Sequence, residues 1–273
     1  MKYNGELKSI DTQEKAYLLG QIYGDGYNGG EKTHSYKIML TSNSGDIDVY
    51  KKLHELFPFF KLKTYPSHPN MIYLENHERS LYLDLKALGM ISSKTKFDKT
   101  GKFHFPNLRE DLIPHFIRGY FDADGSFYFP SRKRSRNNLK AEFGCSTKNF
   151  LLEIKKYLDR AGLNFSYREI MKSAGNGKTY NTFSLISSNR DLSCRFADFI
   201  YNNATIYLDY KYKISHKLSD IIKNSILFGS CPKCESSNII KNGTRGGKYR
   251  LKCKDCNSNF TRPMPTQQVI VDE

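Results

Sequence analysis

The sequence predicts an α+β protein made of two copies of one plan, followed by a small cysteine module. Three observations carry this. Residues 18–26, Leu-Leu-Gly-Gln-Ile-Tyr-Gly-Asp-Gly, are nearly repeated at 117–125 as Ile-Arg-Gly-Tyr-Phe-Asp-Ala-Asp-Gly. The likeness continues downstream: Ser42 and Tyr50-Lys51-Lys52-Leu53 match Ser146 and Ile154-Lys155-Lys156-Tyr157, and Leu74, Arg79 and Leu81 match Leu185, Arg190 and Leu192. Near Ser230 the hydrophobic periodicity stops, and Cys, Lys, Gly and Asn take over. Sustained self-similarity marks a duplicated structural unit. The distance between the copies grows only around 131–138 and 173–178, two polar, turn-like stretches where insertions are tolerated.

Each half reads as helix, hairpin, helix, hairpin, helix. Residues 14–24 and 112–123 are apolar on nearly all sides, which predicts buried helices. Residues 36–42 and 139–146 read as strands, and 45–57 and 147–161 as amphipathic helices. Hairpins follow at 61–65 with 70–75, and at 163–171 with 179–187; helices at 77–88 and 189–201 close each half. Short hairpin turns make both sheets antiparallel. The expected domains are 1–105 and 106–225 for the halves, 228–262 for the cysteine module, and a loosely ordered tail at 263–273.

The chain carries 43 Lys+Arg against 28 Asp+Glu, a net charge of +15, which favours a polyanionic partner, most simply nucleic acid. No stretch approaches the ~20 apolar residues that span a membrane. Met1 to Lys15 is polar and includes Glu6, Asp11 and Glu14, unlike a signal or transit peptide. A cytoplasmic, reducing setting is therefore expected, where six Cys read as metal ligands or buried thiols rather than disulfides.

The two copies explain each other. Gly20 and Gly24 are four residues apart, as are Gly119 and Ala123, so each pair shares one helix face. Small residues there let two helix backbones approach closer than the usual ~8–10 Å between axes. The expected seam sets Gly20 near Gly119 and Gly24 near Ala123, with Asp25 and Asp124 at one end and Gly26 and Gly125 ending the helices in left-handed conformation. Helix C-termini carry partial negative charge. Two carboxylates about 6 Å apart repel by roughly 3 kcal/mol at an effective dielectric of about 20. A hard divalent ion such as Mg²⁺, held by Asp25 and Asp124 with carbonyl oxygens of Gly24 and Ala123, would relieve that repulsion and could act on phosphodiesters.

These segments resemble the LAGLIDADG motif of homing endonucleases, in its single-chain, two-motif form. The likeness covers roughly residues 10–215 and is strongest at Gly119-Tyr-Phe-Asp-Ala-Asp-Gly-Ser126. The first copy departs from the pattern at Tyr23 and Gly24, but the acid at the motif's eighth position stands at both Asp25 and Asp124. The resemblance implies two αββαββα halves, a saddle of antiparallel strands in the DNA major groove, and divalent-metal cleavage of both strands by a monomer. It also makes Lys94, in Leu88-Gly-Met-Ile-Ser-Ser-Lys94, and Lys211, in Tyr207-Leu-Asp-Tyr-Lys-Tyr-Lys213, candidate active-site bases that contact phosphate or polarise water.

On such a saddle, alternate side chains face DNA. Arg132, Lys133, Arg134, Arg136 and Lys140 form a basic run without an acid. Its counterpart from Asn28 to Lys37 is far less charged, which predicts unlike half-sites and a non-palindromic target. Cys231-x-x-Cys234 and Cys253-x-x-Cys256 have the spacing of a tetrahedral zinc site, and a segment this short needs the metal to fold. The module resembles the zinc ribbons of some transposases. Eight basic residues against two acidic ones in 231–262 point to added DNA contacts, with Lys248 and Arg250 as candidates. Cys145 and Cys194 read as core residues. The leading expectation is a homing-type DNA endonuclease; the alternatives are an intron RNA maturase and a DNA-binding regulator on the same scaffold.

Overall fold

The computed structural model describes residues 1–29, 36–90, 103–129, 139–173, 179–214, 228–236 and 238–264. Its first half runs α1 (Gln13–Asp25), β1 (Tyr27–Asn28), β2 (Ile38–Asn43), a 3₁₀ turn at Ser44–Asp46, α2 (Ile47–Leu56), β3 (Lys61–Tyr65), β4 (His68–Asn76) and α3 (Arg79–Ala87). The second half repeats this as α4 (Ile113–Asp124), β5 (Gly125–Tyr128), β6 (Lys140–Cys145), α5 (Lys148–Arg160), β7 (Ser166–Ser173), β8 (Thr179–Ile186) and α6 (Arg190–Tyr201). Both sheets are antiparallel and share one strand order, β1-β2-β4-β3 and β5-β6-β8-β7. The expected helices and hairpins stand within a few residues of their anticipated ends. Two short strands, β1 and β5, follow the motif directly and were not placed from sequence.

Local chemistry starts the helices. The Thr12 side chain accepts from the Lys15 amide and caps α1. Pro114 sits in the first turn of α4, where its missing N–H leaves no bond unmade. The Asn189 side chain accepts from the Leu192 amide at 2.8 Å and starts α6. Strand alternation divides each sheet into two faces. Ile38, Leu40, Ile72 and Leu74 of the first sheet, and Ala141, Phe143, Phe183 and Leu185 of the second, enter one continuous hydrophobic core. Cys194 is buried against Leu139, and Cys145 is half-buried at the core's edge. The opposite faces carry Thr41, Tyr73 and Lys63 in the first sheet, and Glu142, Thr182 and Ser184 in the second.

Helices α1 and α4 meet backbone to backbone. A methyl group added at Gly20 would lie 2.1 Å from the Phe116 carbonyl oxygen, and one at Gly119 would lie 2.1 Å from that of Tyr17. Gly26 and Gly125 do not take the left-handed conformation expected of them. Their φ values are −69° and −98°, extended backbone that leads straight into β1 and β5. They are glycine for space: an added carbon would stand 2.2 Å from the Ile22 oxygen at Gly26, and 2.2 Å from the Phe121 ring at Gly125.

The cysteine module is a three-stranded antiparallel sheet ordered β11-β10-β9, from Ile239–Arg245 (β9), Lys248–Cys253 (β10) and Asn259–Pro263 (β11). It has its own small core of Phe228, Ile239, Leu251, Cys231 and Cys253. The tail from 265 onward, the stretches 130–138 and 174–178, and Lys94 lie outside the described residues. Among the described residues no helix is long and apolar enough to cross a membrane.

Candidate active site

Helices α1 and α4 bury residues 16–23 and 116–122 along the seam, then surface together at their C-terminal ends. Asp25 and Asp124 occupy those ends and are exposed, whereas Gly24 and Ala123 behind them are half-buried. The small residues set how close the two acids come. A methyl group at Gly24 would lie 2.4 Å from the Ala123 Cβ and 3.6 Å from Asp124 Oδ2, so the Asp124 carboxylate reaches the end of α1. Both acids act on the same neighbours. Burial, then Cys145, Asp124 and Asp25, push the Tyr120 phenol well above its ordinary pKa. The Tyr50 phenol is also raised, by burial first and then by Asp25 and Asp46. Asp46, which accepts from the Ser42 hydroxyl at 2.6 Å, is thus a third carboxylate near the first helix end that sequence reasoning missed. Two oxygen-rich carboxylates flanked by backbone carbonyls are a donor set suited to a hard divalent cation.

Buried polar groups fix the second helix end. Asp122 accepts from the Tyr17 hydroxyl at 3.0 Å, the Tyr201 hydroxyl at 2.5 Å and the Leu208 amide at 2.8 Å. Burial raises its pKa, against the opposing pull of Lys211 and these donors. The matching residue of the first motif, Tyr23, donates to the Leu88 carbonyl at 2.6 Å. Both therefore tie a motif helix to the segment that follows the third helix of its half, which accounts for the departure at Tyr23. Arg118, fully buried, adds hydrogen bonds to the carbonyls of Ile200 and Ile206, both at 3.0 Å.

Lys211 lies beside the acids of the site, with its ammonium turned to the backbone of α4. It is 2 % exposed, and its ammonium donates to the carbonyls of Phe121 at 2.8 Å, Asp122 at 2.7 Å and Gly125 at 2.7 Å. A lysine has three protons to donate, and all three are committed to the C-terminal end of α4. The geometry makes Lys211 a clamp on the helix end that carries Asp124. Desolvation lowers its pKa, while Asp122, Asp25, Asp46 and Asp124 oppose the shift.

The other candidate residues divide between described and undescribed segments. Lys94, Arg132, Lys133, Arg134 and Arg136 lie outside the described residues, as does the side chain of Asn28. Lys37 is half-buried, with its ammonium 2.9 Å from Glu75. Lys140 is directed at its own half, donating to the carbonyls of Ser187 and Ser188. A recess of about 410 Å³ beside Asp124 opens on the outward face of the second sheet, lined by Glu142, Gly144, Lys172, Thr182 and Ser184. Glu142 there accepts from the Tyr128 hydroxyl at 2.7 Å.

The four module cysteines converge. Their sulfurs all lie within 4.8 Å of one another, with Cys231–Cys256 and Cys234–Cys253 both at 3.6 Å. A zinc tetrahedron with bonds of about 2.3 Å has edges of about 3.8 Å, so the sulfurs fit that ion. Two matched turns present them: the Cys231 amide donates to the Ser236 carbonyl, and the Cys253 amide to the Ser258 carbonyl. Lys248 and Arg250 are exposed and, two residues apart on β10, share the face opposite Leu251 and Cys253.

Residues 111–201 match the model of a LAGLIDADG-like domain. Among solved structures, the LAGLIDADG meganuclease I-AabMI bound to uncleaved DNA is similar with a TM-score of 0.50 at 13% identity, over 76% of this chain and 91% of that one. The LAGLIDADG homing endonuclease I-GzeII in complex with its DNA target aligns with a TM-score of 0.49 at 12% identity, over 80% and 91% of the two chains. A glutamine–fructose-6-phosphate aminotransferase from Methanocaldococcus jannaschii is 26% identical over 183 residues, 66% of this chain. The present chain spans only 15% of that relative's length. With its duplicated halves, abutting motif helices and antiparallel sheets, the chain has the fold of the LAGLIDADG meganucleases, and its residues 111–201 are similar to the LAGLIDADG-like domain.

Proposed function

We propose that the chain is a site-specific DNA endonuclease of the homing type, which makes Mg²⁺-dependent double-strand breaks at a long, non-palindromic target. One observation carries this reading: Asp25 and Asp124 surface together at the end of a glycine-lined seam. Asp25 and Asp124, with the carbonyl oxygens of Gly24 and Ala123, would hold the ion. Bound there, it would supply Lewis-acid stabilisation of the leaving oxygen and a water of lowered pKa. The protein's own groups do the positioning. The seam sets the separation of the carboxylates, Lys211 and Asp122 hold the end of α4, and the Tyr23 hydroxyl anchors α1. The sheet faces orient duplex DNA across them.

Unlike side chains on the two outward faces support unlike half-sites. The net charge of +15 supports affinity for phosphate. The module, folded around one zinc ion held by Cys231, Cys234, Cys253 and Cys256, would add phosphate contacts through Lys248 and Arg250. The test is cleavage of a randomised duplex library with and without Mg²⁺. The proposal expects the cut molecules to converge on one long, asymmetric sequence, and only with the metal. A library that is never cut, or that is cut equally well without a divalent ion, would overturn it.

A further inference from the structure

The outward face of the first sheet holds an acid that its sequence context does not advertise. Glu75 lies in a row across the sheet with Tyr27 of β1, Met39 of β2 and Lys61 of β3, on the face away from the core. It is nonetheless only 1% exposed. Its cover is polar. The ammonium of Lys37 lies 2.9 Å from Oε1, and that of Lys63 lies 2.9 Å from Oε2. The Tyr65 hydroxyl donates to Oε1 at 2.8 Å, and His77 stands 3.6 Å from Oε2. Lys63 also lies over the Tyr65 ring, which packs edge-on against Tyr73 at 5.0 Å. Both carboxylate oxygens are taken, so the cluster presents hydrogen-bond donors outward. Lys37 and Lys63 are 27% and 38% exposed and have protons beyond those spent on Glu75.

A lysine on a free stem is a mobile point charge, well suited to phosphate and indifferent to sequence. A lysine pinned by a carboxylate loses less freedom on binding and offers its remaining protons in a fixed direction. In the major groove, guanine presents two acceptors, O6 and N7, whereas adenine and cytosine each present an amino donor. We propose that Glu75 is a specificity-determining residue, holding Lys37 and Lys63 as a fixed donor pair that reads guanine in the half-site under the first sheet. This rests on the reading of the chain as a duplex-DNA endonuclease. The second sheet has Ile186 at the matching position, since Leu185 aligns with Leu74, so the device belongs to one half-site only.

The test is selection of bound duplexes from a randomised library, without divalent metal, by the full chain and by Glu75→Gln and Lys63→Met. The full chain should prefer guanine at one or two adjacent positions on one side of the target. Glu75→Gln should lower that preference about tenfold, leave the other positions alone and tighten binding to unrelated duplex, because one negative charge is lost. Lys63→Met should lower both the preference and the affinity. If the full chain selects a target and Glu75→Gln selects the same bases equally well, this inference falls while the endonuclease reading stands. If Lys63→Met weakens all sequences alike, the lysine contacts phosphate and the inference again falls. A full chain that binds no duplex would bring down both.

Discussion

The placement of Asp25 and Asp124 at the ends of two abutting helices was legible in the sequence because everything that marks it is local and occurs twice: an acid before glycine, with small residues four apart behind it. Glu75 and Lys211 lacked such a mark. The burial of Glu75 depends on the register that brings Lys63 and Tyr65 of β3 beside it, together with Lys37 ahead of β2. The place of Lys211 depends on a segment that returns to α4 after the whole second half has formed. The family resemblance singled out a lysine there but not the direction of its ammonium. The carboxylate of Glu75, despite burial, is held down to about 2 by Lys37, Lys63 and Tyr65. Lys211 leads to a prediction at this scale. Lys211→Met leaves the carbonyls of Phe121, Asp122 and Gly125 without their donor. It should cost about 3 kcal/mol of stability, read in urea unfolding, because orphaned buried carbonyls carry their desolvation penalty. Unchanged stability would mean that the clamp contributes nothing.

At the scale of elements, helix and hairpin positions followed from periodicity, because a 3.6-residue apolar repeat and a two-residue alternation are hard to confuse over ten residues. The strands β1 and β5 were expected as partners in the first hairpin of each half but given no bounds, because they are only two and four residues long and grow directly from the motif glycines. The reading of Gly26 and Gly125 missed the atoms of their own helices that crowd them, the Ile22 oxygen and the Phe121 ring. Each is required by a neighbouring atom rather than by a left-handed φ. The seam should tolerate no side chain. Gly20→Ala drives a methyl group to 2.1 Å from the Phe116 oxygen. Backbone cannot yield there as a flexible side chain would, so a loss of about 3 kcal/mol and a clear fall in melting temperature are expected. A melting temperature equal to that of the parent would show that the helices can part without cost. The cysteine module offers a separate test. Its core contains five buried residues, two of them cysteines, too few to fold a segment of this size without help. Elemental analysis should find about one zinc per chain. A strong chelator should abolish hydrogen-exchange protection in 239–263 and leave α1 and α4 protected. Protection that survives complete zinc removal would contradict the metal's structural role.

On the scale of the whole molecule, duplication sets the symmetry and later divergence breaks it. The two sheets share a strand order, yet the first carries the Glu75 cluster where the second carries Ile186, and Tyr23 stands where the second motif has Asp122. A symmetric scaffold with asymmetric faces is what recognition of an asymmetric target requires. For the proposed duplex target, the net charge of +15 would supply attraction that does not depend on sequence. The central claim is that the seam brings Asp25 and Asp124 together to hold one catalytic assembly. It is tested most directly by measuring cleavage and binding of the selected target by Asp25→Asn and by Asp124→Asn. Each substitution removes a charge and keeps the shape, so each variant should lose double-strand cutting by at least about 100-fold while binding the duplex within a few-fold of the parent. Variants that cut both strands at the parent rate would contradict the claim.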